Sequence, residues 1–105
     1  MGNAITGTVS PCAGYKIHLK DLPFDETETK LLTRFYRDMN QMYPGNDIGP
    51  IYTKVWSAPS KATCQAIIGF NTANAASKAF VCMWTWGYPT NEGLRKHVIL
   101  EWSSS

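Results

Sequence analysis

The chain has 105 residues, of which 44% are hydrophobic and 17% charged, a composition typical of one folded domain rather than a disordered segment. No apolar run approaches the roughly 20 residues that a membrane span requires, and the N-terminus lacks the pattern of a secretory signal, so we expect no membrane association. The net charge of +2 is too small to indicate binding to nucleic acid by itself.

The first half of the chain contains the signals of a strand and a helix. Residues 1–14 are small and polar and predict a flexible leader. Residues 15–22 alternate between apolar and polar side chains, which predicts a half-buried strand. A helix over residues 27–42 follows, because Asp25 or Thr27 can cap it and Pro44 and Gly45 end it. Its apolar residues recur at helical spacing: Leu31, Leu32, Phe35, Met39 and Met42.

The second half repeats these signals in the order strand, strand, helix, strand. Residues 51–56 and 62–70 alternate as strands do, and a polar connection separates them. Asn71 or Thr72 can cap a second helix, predicted over residues 72–84 with Ala76, Ala79 and Phe80 among its apolar positions. Residues 87–93 predict a turn-rich loop, residues 97–102 a last strand, and residues 103–105 a tail.

This order of elements, β-α-β-β-α-β, predicts an α+β protein with a ferredoxin-like sandwich over residues 15–102. In that arrangement a four-stranded antiparallel sheet is backed by two helices on one face. The other face of the sheet is left uncovered, so we expect it to carry the function.

Five segments of the chain resemble the RNA recognition motif (RRM) family. Residues 17–23, Ile-His-Leu-Lys-Asp-Leu-Pro, resemble the family's RNP2 strand, and residues 27–35 resemble its first helix. Residues 63–70 occupy the place of RNP1, residues 70–80 keep the family's spacing into the second helix, and residues 98–103 resemble the closing strand. The resemblance spans nearly the whole chain and implies a non-catalytic module that binds short single-stranded RNA on its sheet.

The RNP1 segment departs from the family pattern. RNP1 commonly begins with Arg or Lys and presents two outward aromatic rings, whereas Thr63, Gln65 and Ile67 occupy those positions here. The second strand offers two aromatic side chains instead, Tyr52 and Trp56. These two rings could replace the missing ones, or they could simply be the aromatic residues that strands favour.

Strand alternation predicts which side chains share the uncovered face. His18, Tyr52 and Trp56 are expected to stack on bases. Lys16, Lys20, Lys54 and the nearby Lys61 are expected to contact phosphates. Gln65 is expected to hydrogen-bond to a base edge, and Glu101 to accept a hydrogen bond from an exocyclic amine such as cytosine N4. The predicted RNA-binding residues are Lys16, His18, Lys20, Tyr52, Lys54, Trp56, Gln65, Ile67 and Glu101, with Thr63 and Ile99 on the same face.

An alternative function is a protein–protein interaction domain of the same fold. Residues 80–88 carry more large apolar side chains than one packed helical stripe needs, including Val81, Trp84 and Trp86. These residues either cover the open end of the core or form a contact patch for a partner protein or a neighbouring copy. The Arg-x-Phe loop of the U2AF-homology subfamily is absent. The sheet itself is a second surface that a peptide could use.

Other properties follow from the same residues. His18 and His97 lie outside any Ser or Cys motif, and no Gly-rich phosphate loop is present, so we expect no enzymatic activity and no cofactor. Cys12, Cys64 and Cys82 fit neither a disulfide framework nor a CxxC zinc site, which favours reduced thiols and no metal. We therefore expect an intracellular monomer, nuclear or cytoplasmic.

Overall fold

The computed structural model describes residues 15–45, 48–57, 62–90 and 92–103. The predicted leader, with Cys12, and the predicted phosphate contact Lys61 lie outside these residues. The elements in chain order are β1 (Lys16–Leu22), α1 (Glu28–Met42), β2 (Tyr52–Ser57), β3 (Cys64–Gly69), α2 (Ala73–Met83), β4 (Gly87–Pro89), β5 (Arg95–His97) and β6 (Ile99–Ser103).

Four of the strands form one antiparallel sheet in the order β2-β3-β1-β6. The two strands nearest the centre come from the two halves of the chain, which is the topology that the β-α-β-β-α-β order predicts. The predicted fold class is confirmed. Each of the predicted strands and helices is present, with boundaries that differ by one or two residues from the expected ones.

The core lies between one face of this sheet and the two helices. Ile17, Leu19, Ala66 and Ile68 alternate along the two central strands and are fully buried, as the period of two requires. Burying a side chain of this size contributes about 1.5–3 kcal/mol relative to leaving it exposed. The helices complete the core with Leu31, Phe35, Met39, Ala76, Ala79, Cys82 and Met83.

Both helices begin at a capping threonine. The Thr27 hydroxyl accepts a hydrogen bond from the Lys30 amide at 3.1 Å, and the Thr72 hydroxyl accepts one from the Ala75 amide at 3.1 Å. Each bond satisfies an amide that the first helical turn leaves without a carbonyl partner. Of the two caps considered for each helix, the threonine is the one used.

A bulge interrupts the pairing of β1 with β3 near the C-terminal end of β1. Asp21 adopts a left-handed conformation with φ +62°, and the pairing of β1 with β3 shifts register between Leu19 and Leu22. Asp tolerates this region better than most residues with a Cβ atom. The Asp21 carbonyl accepts a hydrogen bond from the Tyr88 hydroxyl at 2.9 Å, which ties the bulge to β4.

The prediction for residues 87–102 is wrong in part. The expected loop contains β4, which pairs with β5 as a two-stranded antiparallel hairpin, and His97 belongs to β5 rather than to the last strand. Val98 separates β5 from β6, is buried, and donates its amide hydrogen to the Trp86 carbonyl at 3.0 Å. Three-residue strands are too short to show an alternation, so turn residues dominate the sequence signal here.

The two tryptophans after α2 lie in different environments. Trp86 is 5% exposed and belongs to the core cluster, whereas Trp84 is 64% exposed. Trp86 therefore covers the end of the core, and the alternative of a contact patch applies to Trp84 and its neighbours. Cys64 and Cys82 are buried free thiols. In the part of the chain that the structure describes, neither helix is long and apolar enough to cross a membrane.

Candidate nucleic-acid interface

All nine predicted RNA-binding residues lie on the sheet face turned away from the helices, here called the open face. On β1 and β3 they alternate with buried residues, and on β2 they alternate with the partly buried Thr53 and Val55. The strand register decides which of them become neighbours. His18 of β1 lies opposite Ile67 of β3 and Glu101 of β6. On the outer side of β3, Lys54 lies opposite Ile67 and Trp56 lies opposite Gln65.

The centre of the open face is a cluster of His18, Gln65 and Trp56. His18 Nε2 donates a hydrogen bond to Gln65 Oε1 at 2.7 Å, which assigns the ring proton to Nε2. The His18 and Trp56 ring centroids are 5.7 Å apart with an interplanar angle of 32°. The hydrogen bond limits rotation of the imidazole, so two rings from β1 and β2 form a continuous, half-buried aromatic platform across β3.

A second aromatic position lies at one end of the platform. Tyr52 is 37% exposed and, like Lys16, pairs in register with Gly69. A Cβ atom added at Gly69 would lie 3.3 Å from both Lys16 Cγ and Tyr52 Cβ. The absence of a side chain at Gly69 therefore lets the lysine stem and the tyrosine approach each other over the strand backbone.

At the other end, Lys20 of β1 and Glu101 of β6 form an ion pair with 2.9 Å between Nζ and Oε1. The hydrogen bond from Lys20 and its charge lower the pKa of the Glu101 carboxyl, with a smaller contribution from His18. The carboxylate is thus charged at neutral pH and cancels the Lys20 charge. Within the described residues, neither Lys16 nor Lys54 has a comparable ion pair.

A groove that sequence reasoning missed continues from the end of β1. It has a volume of about 540 Å³ and runs between the Pro23–Asp25 segment and the β4–β5 hairpin, with Phe24, Tyr88 and Lys96 among its walls. Phe24 is 73% exposed, and its carbonyl accepts a hydrogen bond from the Cys64 thiol at 3.2 Å. Burial, with Asp21 second, raises the pKa of Tyr88, so its hydroxyl stays protonated at neutral pH.

The three groove walls Phe24, Tyr88 and Lys96 adjoin the open face, but they belong to segments without a strand pattern. Phe24 lies in the turn before α1, and Tyr88 and Lys96 lie in the hairpin whose strands are too short to predict. No period in the sequence indicates that these residues line a groove. Thr63, predicted on the open face, lines this groove as well.

The helical layer carries a separate aromatic ridge, defined as Phe80, Trp84 and Trp102. The Phe80 ring stacks on Trp102 with centroids 4.7 Å apart and on Trp84 with centroids 5.6 Å apart. Trp84 and Trp102 remain 64% and 52% exposed, and Val81 beside them is 54% exposed. Trp102 of the edge strand β6 thereby extends the apolar patch that the sequence placed only at the end of α2.

The described residues contain no cluster of three His, Cys, Asp or Glu side chains that could hold a metal ion. His97 is exposed on β5 and His18 binds Gln65, and in the described part of the chain neither contacts a nucleophilic Ser or Cys side chain. The open face has aromatic rings in its centre and basic side chains around them.

Comparison with known proteins supports the fold. No family model matches the sequence, and no curated protein matches it. Among solved structures, the RRM of RNA15 is similar with a TM-score of 0.53 and 23% sequence identity, over 88% of this chain and 92% of that chain. At this level of identity the similarity concerns the arrangement of strands and helices, and this chain therefore has an RRM-like fold.

Proposed function

We propose that this chain is a non-catalytic RNA-binding module that holds a short single-stranded segment across its open face. The observation that carries the proposal is the aromatic platform, in which His18 and Trp56 lie 5.7 Å apart and half-buried in the middle of an otherwise uncovered sheet. Solvent-facing rings on a sheet are the usual stacking surface for unpaired bases, and every base has a face that can stack.

The aromatic residues of β2 take the part that RNP1 rings have in the RRM family. Trp56 and Tyr52 point to the same side of β2, four residues apart, and β3 between them and β1 contributes no ring. Each stacked base contributes about 1–3 kcal/mol. Three stacked bases on His18, Trp56 and Tyr52 contribute about 3–9 kcal/mol, and binding in the micromolar range, which corresponds to about 8 kcal/mol, needs phosphate contacts in addition to this stacking.

Phosphate contacts come chiefly from the lysines that form no ion pair within the described residues. Lys54 lies beside the platform and Lys16 lies next to Tyr52, so both can reach the backbone of a strand whose bases stack on those rings. Lys20 contributes less, because Glu101 neutralises it. Lys96 of the hairpin extends the basic margin along the groove beyond β1.

Base recognition involves two polar groups that already have intramolecular partners. Gln65 uses its carbonyl oxygen to accept from His18, which leaves its amide N–H groups for an acceptor on a base. Glu101 has a second carboxylate oxygen, and this oxygen can accept from an exocyclic amine such as cytosine N4. Ile67 lies on the same side of β3 as Gln65 and opposite His18, and it provides apolar contact under a base.

The test is a salt-series titration of the labelled chain with a pool of short single-stranded RNAs, read by amide chemical shifts. We expect shifts concentrated at β1, β2 and β3, an affinity in the micromolar range, and weaker binding as salt rises. Absence of binding below millimolar concentrations at low salt would contradict the proposal. Shifts confined to the helices would contradict the choice of surface.

An intracellular site of action, nuclear or cytoplasmic, and a monomeric state are parts of the same proposal.

A second candidate function is binding of an apolar segment of another protein to the aromatic ridge. The specific observation in its favour is the exposure of Trp84 and Trp102, which both stack on Phe80 on the side of the molecule away from the open face. Selection from a random peptide library, with counter-selection on the Trp84→Ser variant, tests it. Enrichment of aromatic or aliphatic peptides that lose binding to the variant supports this function, and no enrichment contradicts it.

A further inference from the structure

Three arginines, two from α1 and one from the distant strand β5, line one polar pocket on the helical layer. Arg34 and Arg37 lie three residues apart on α1, which puts them on neighbouring positions of one helix surface, and Arg95 reaches the same pocket from β5. The pocket has a volume of about 300 Å³, and Asp38 and the Thr85–Gly87 segment complete its walls. It lies between α1 and the hairpin, away from the open face.

Two of the three guanidinium groups are held by partners that do not cancel their charge. The Arg34 guanidinium carbon lies 5.1 Å from the centre of the Trp86 ring, a cation–π contact. Arg95 donates from Nη2 to the Thr85 carbonyl at 3.1 Å. Both contacts orient a planar group and leave most of its N–H donors for another acceptor.

The hairpin makes room for Arg95 through a glycine. A Cβ atom at Gly87 would lie 3.0 Å from Arg95 Nε, 3.1 Å from Arg95 Cζ and 2.7 Å from the Lys96 carbonyl oxygen. The side chain of Arg95 therefore lies flat against the backbone of β4, and only a residue without a side chain permits that approach. The orientation of Arg95 toward the pocket is built into the hairpin.

The third arginine is paired with Asp38, whose two carboxylate oxygens each accept one hydrogen bond. Arg37 Nε donates to Asp38 Oδ1 at 3.1 Å, and Trp86 Nε1 donates to Asp38 Oδ2 at 2.9 Å. Asp38 is the only carboxylate among the described residues that line the pocket, so the three arginines and this aspartate carry a net charge of +2. Glu26 interacts electrostatically with Arg34, but it lines the neighbouring groove along the N-terminal half of α1.

This pocket offers no surface on which a nucleic-acid base could stack. Its one aromatic side chain in the described chain, Trp86, is 5% exposed, and Arg34 lies over its ring, so no ring face is available for stacking. The pocket offers planar guanidinium groups that can hydrogen-bond to phosphate oxygens in pairs. Its net charge of +2 complements the negative charge of a phosphomonoester. Phosphate groups carried by proteins are commonly recognised by arginine clusters of this kind.

We propose that the pocket formed by Arg34, Arg37 and Arg95 binds a phosphoserine or phosphothreonine side chain of a partner protein. This site is separate from the open face, so it would allow the chain to hold an RNA and a phosphorylated partner at the same time. The small volume of the pocket suits one phosphorylated side chain, and its open mouth, where Arg37 is exposed, admits the peptide that carries it.

The experiment is a titration with a short Ala/Gly peptide that has one central phosphoserine, in a buffer without phosphate or sulfate. Binding is followed through the Nε–Hε signals of the arginine side chains. We expect the signals of Arg34, Arg37 and Arg95 to shift with the phosphopeptide and to stay unchanged with its unphosphorylated form. Binding of both peptides with equal affinity would overturn the proposal.

Matched variants separate this site from general charge attraction. Arg95→Gln is expected to weaken phosphopeptide binding about tenfold or more, the effect of losing a charge-assisted hydrogen bond. Lys96→Gln removes the same charge from the same strand but faces the groove beside Tyr88, so the affinity should stay within about twofold. Equal losses in the two variants would overturn the proposal. Arg37→Gln, at an exposed position, provides the same test should Arg95→Gln not fold.

One further variant tests the geometry of recognition. Arg95→Lys keeps the charge but lacks the planar fork, and a loss of phosphopeptide affinity close to that of Arg95→Gln supports bidentate recognition of phosphate.

Two competing ligands complete the design. Inorganic phosphate that binds as tightly as the phosphopeptide would show a small-anion site and overturn the peptide proposal. A short RNA that displaces the phosphopeptide would assign the arginines to the RNA surface, and this too would overturn it.

Discussion

Lys20 of β1 and Glu101 of β6 form an ion pair across the open face, with Nζ and Oε1 2.9 Å apart. The sequence assigned these two residues to separate contacts with RNA, one to a phosphate and one to a base. The structure shows that they hold each other, so that one of the lysine charges on this face is cancelled.

Replacing Glu101 by Gln is expected to strengthen RNA binding. The change removes the carboxylate that neutralises Lys20, so an additional cation becomes available for a phosphate. The slope of log affinity against log salt should steepen by about 0.7, the value for one phosphate contact on a single strand. The measurement is a salt-series titration of both proteins. The double variant Lys20→Gln, Glu101→Gln should lose the gain, and an unchanged slope in the single variant would contradict this role for the pair.

The effect of Glu101 is expected to depend on pH. Lys20 lowers the pKa of the carboxyl below its ordinary value of 4.5, so the ion pair is fully formed above that pH and is lost as the pH falls through the lowered pKa. The difference in RNA affinity between the wild type and Glu101→Gln should stay constant from about pH 7 to 5 and shrink only below about 4.5. The corresponding change in stability is small, because the pair is exposed. A difference that disappears near pH 6 would point to another titrating group.

Trp56→Ala is expected to weaken RNA binding by about 1–3 kcal/mol, the range for losing one stacked base. The fold should survive, because the ring lies on the open face and the partly buried Val55, which packs against the core, is unchanged. The matched control is Trp84→Ala, which removes an exposed tryptophan from the helical layer. Equal RNA affinity of Trp56→Ala and wild type would show that a different surface binds the RNA.

Lys54→Ala and Lys20→Ala are expected to differ although both remove one lysine from the open face. Lys54 forms no ion pair with the residues that the structure describes, so Lys54→Ala should weaken binding to all sequences similarly and flatten the salt slope by about 0.7. Lys20→Ala should change the slope less, since Glu101 already cancels that charge. The same titrations measure both slopes. Equal flattening by the two variants would mean that the ion pair opens when RNA binds.

Trp86→Ser is expected to destabilise the fold by about 3–5 kcal/mol, the range for truncating a large buried aromatic side chain. Trp86 is 5% exposed, and its indole donates to Asp38 at 2.9 Å, so the change leaves a cavity and an unpaired carboxylate oxygen. Trp84→Ser should cost about 1 kcal/mol or less, because Trp84 is exposed and loses mainly its stacking on Phe80. Denaturant unfolding measures both values. Similar losses would contradict the assignment of only Trp86 to the core.

The fold could be predicted because its signals are local. Buried Ile17 and Leu19 alternate with His18 and Lys20, and Leu31, Phe35 and Met39 recur at the spacing of one helix face. A strand or helix that must bury one face shows its period within ten residues of sequence, whatever the rest of the chain does. The hairpin could not be predicted in this way, because Tyr88 and Lys96 lie in strands of three residues.

Which side chains share the open face was determined by the sequence, since alternation alone separates the two faces of a strand. Which of them touch was decided by the tertiary structure, because strand register joins residues that lie far apart in the chain. His18 meets Gln65, Lys20 meets Glu101, and the pocket of Arg34, Arg37 and Arg95 exists only where the hairpin packs beside α1. Contacts of this kind depend on pairing and packing between distant segments, which no local period encodes.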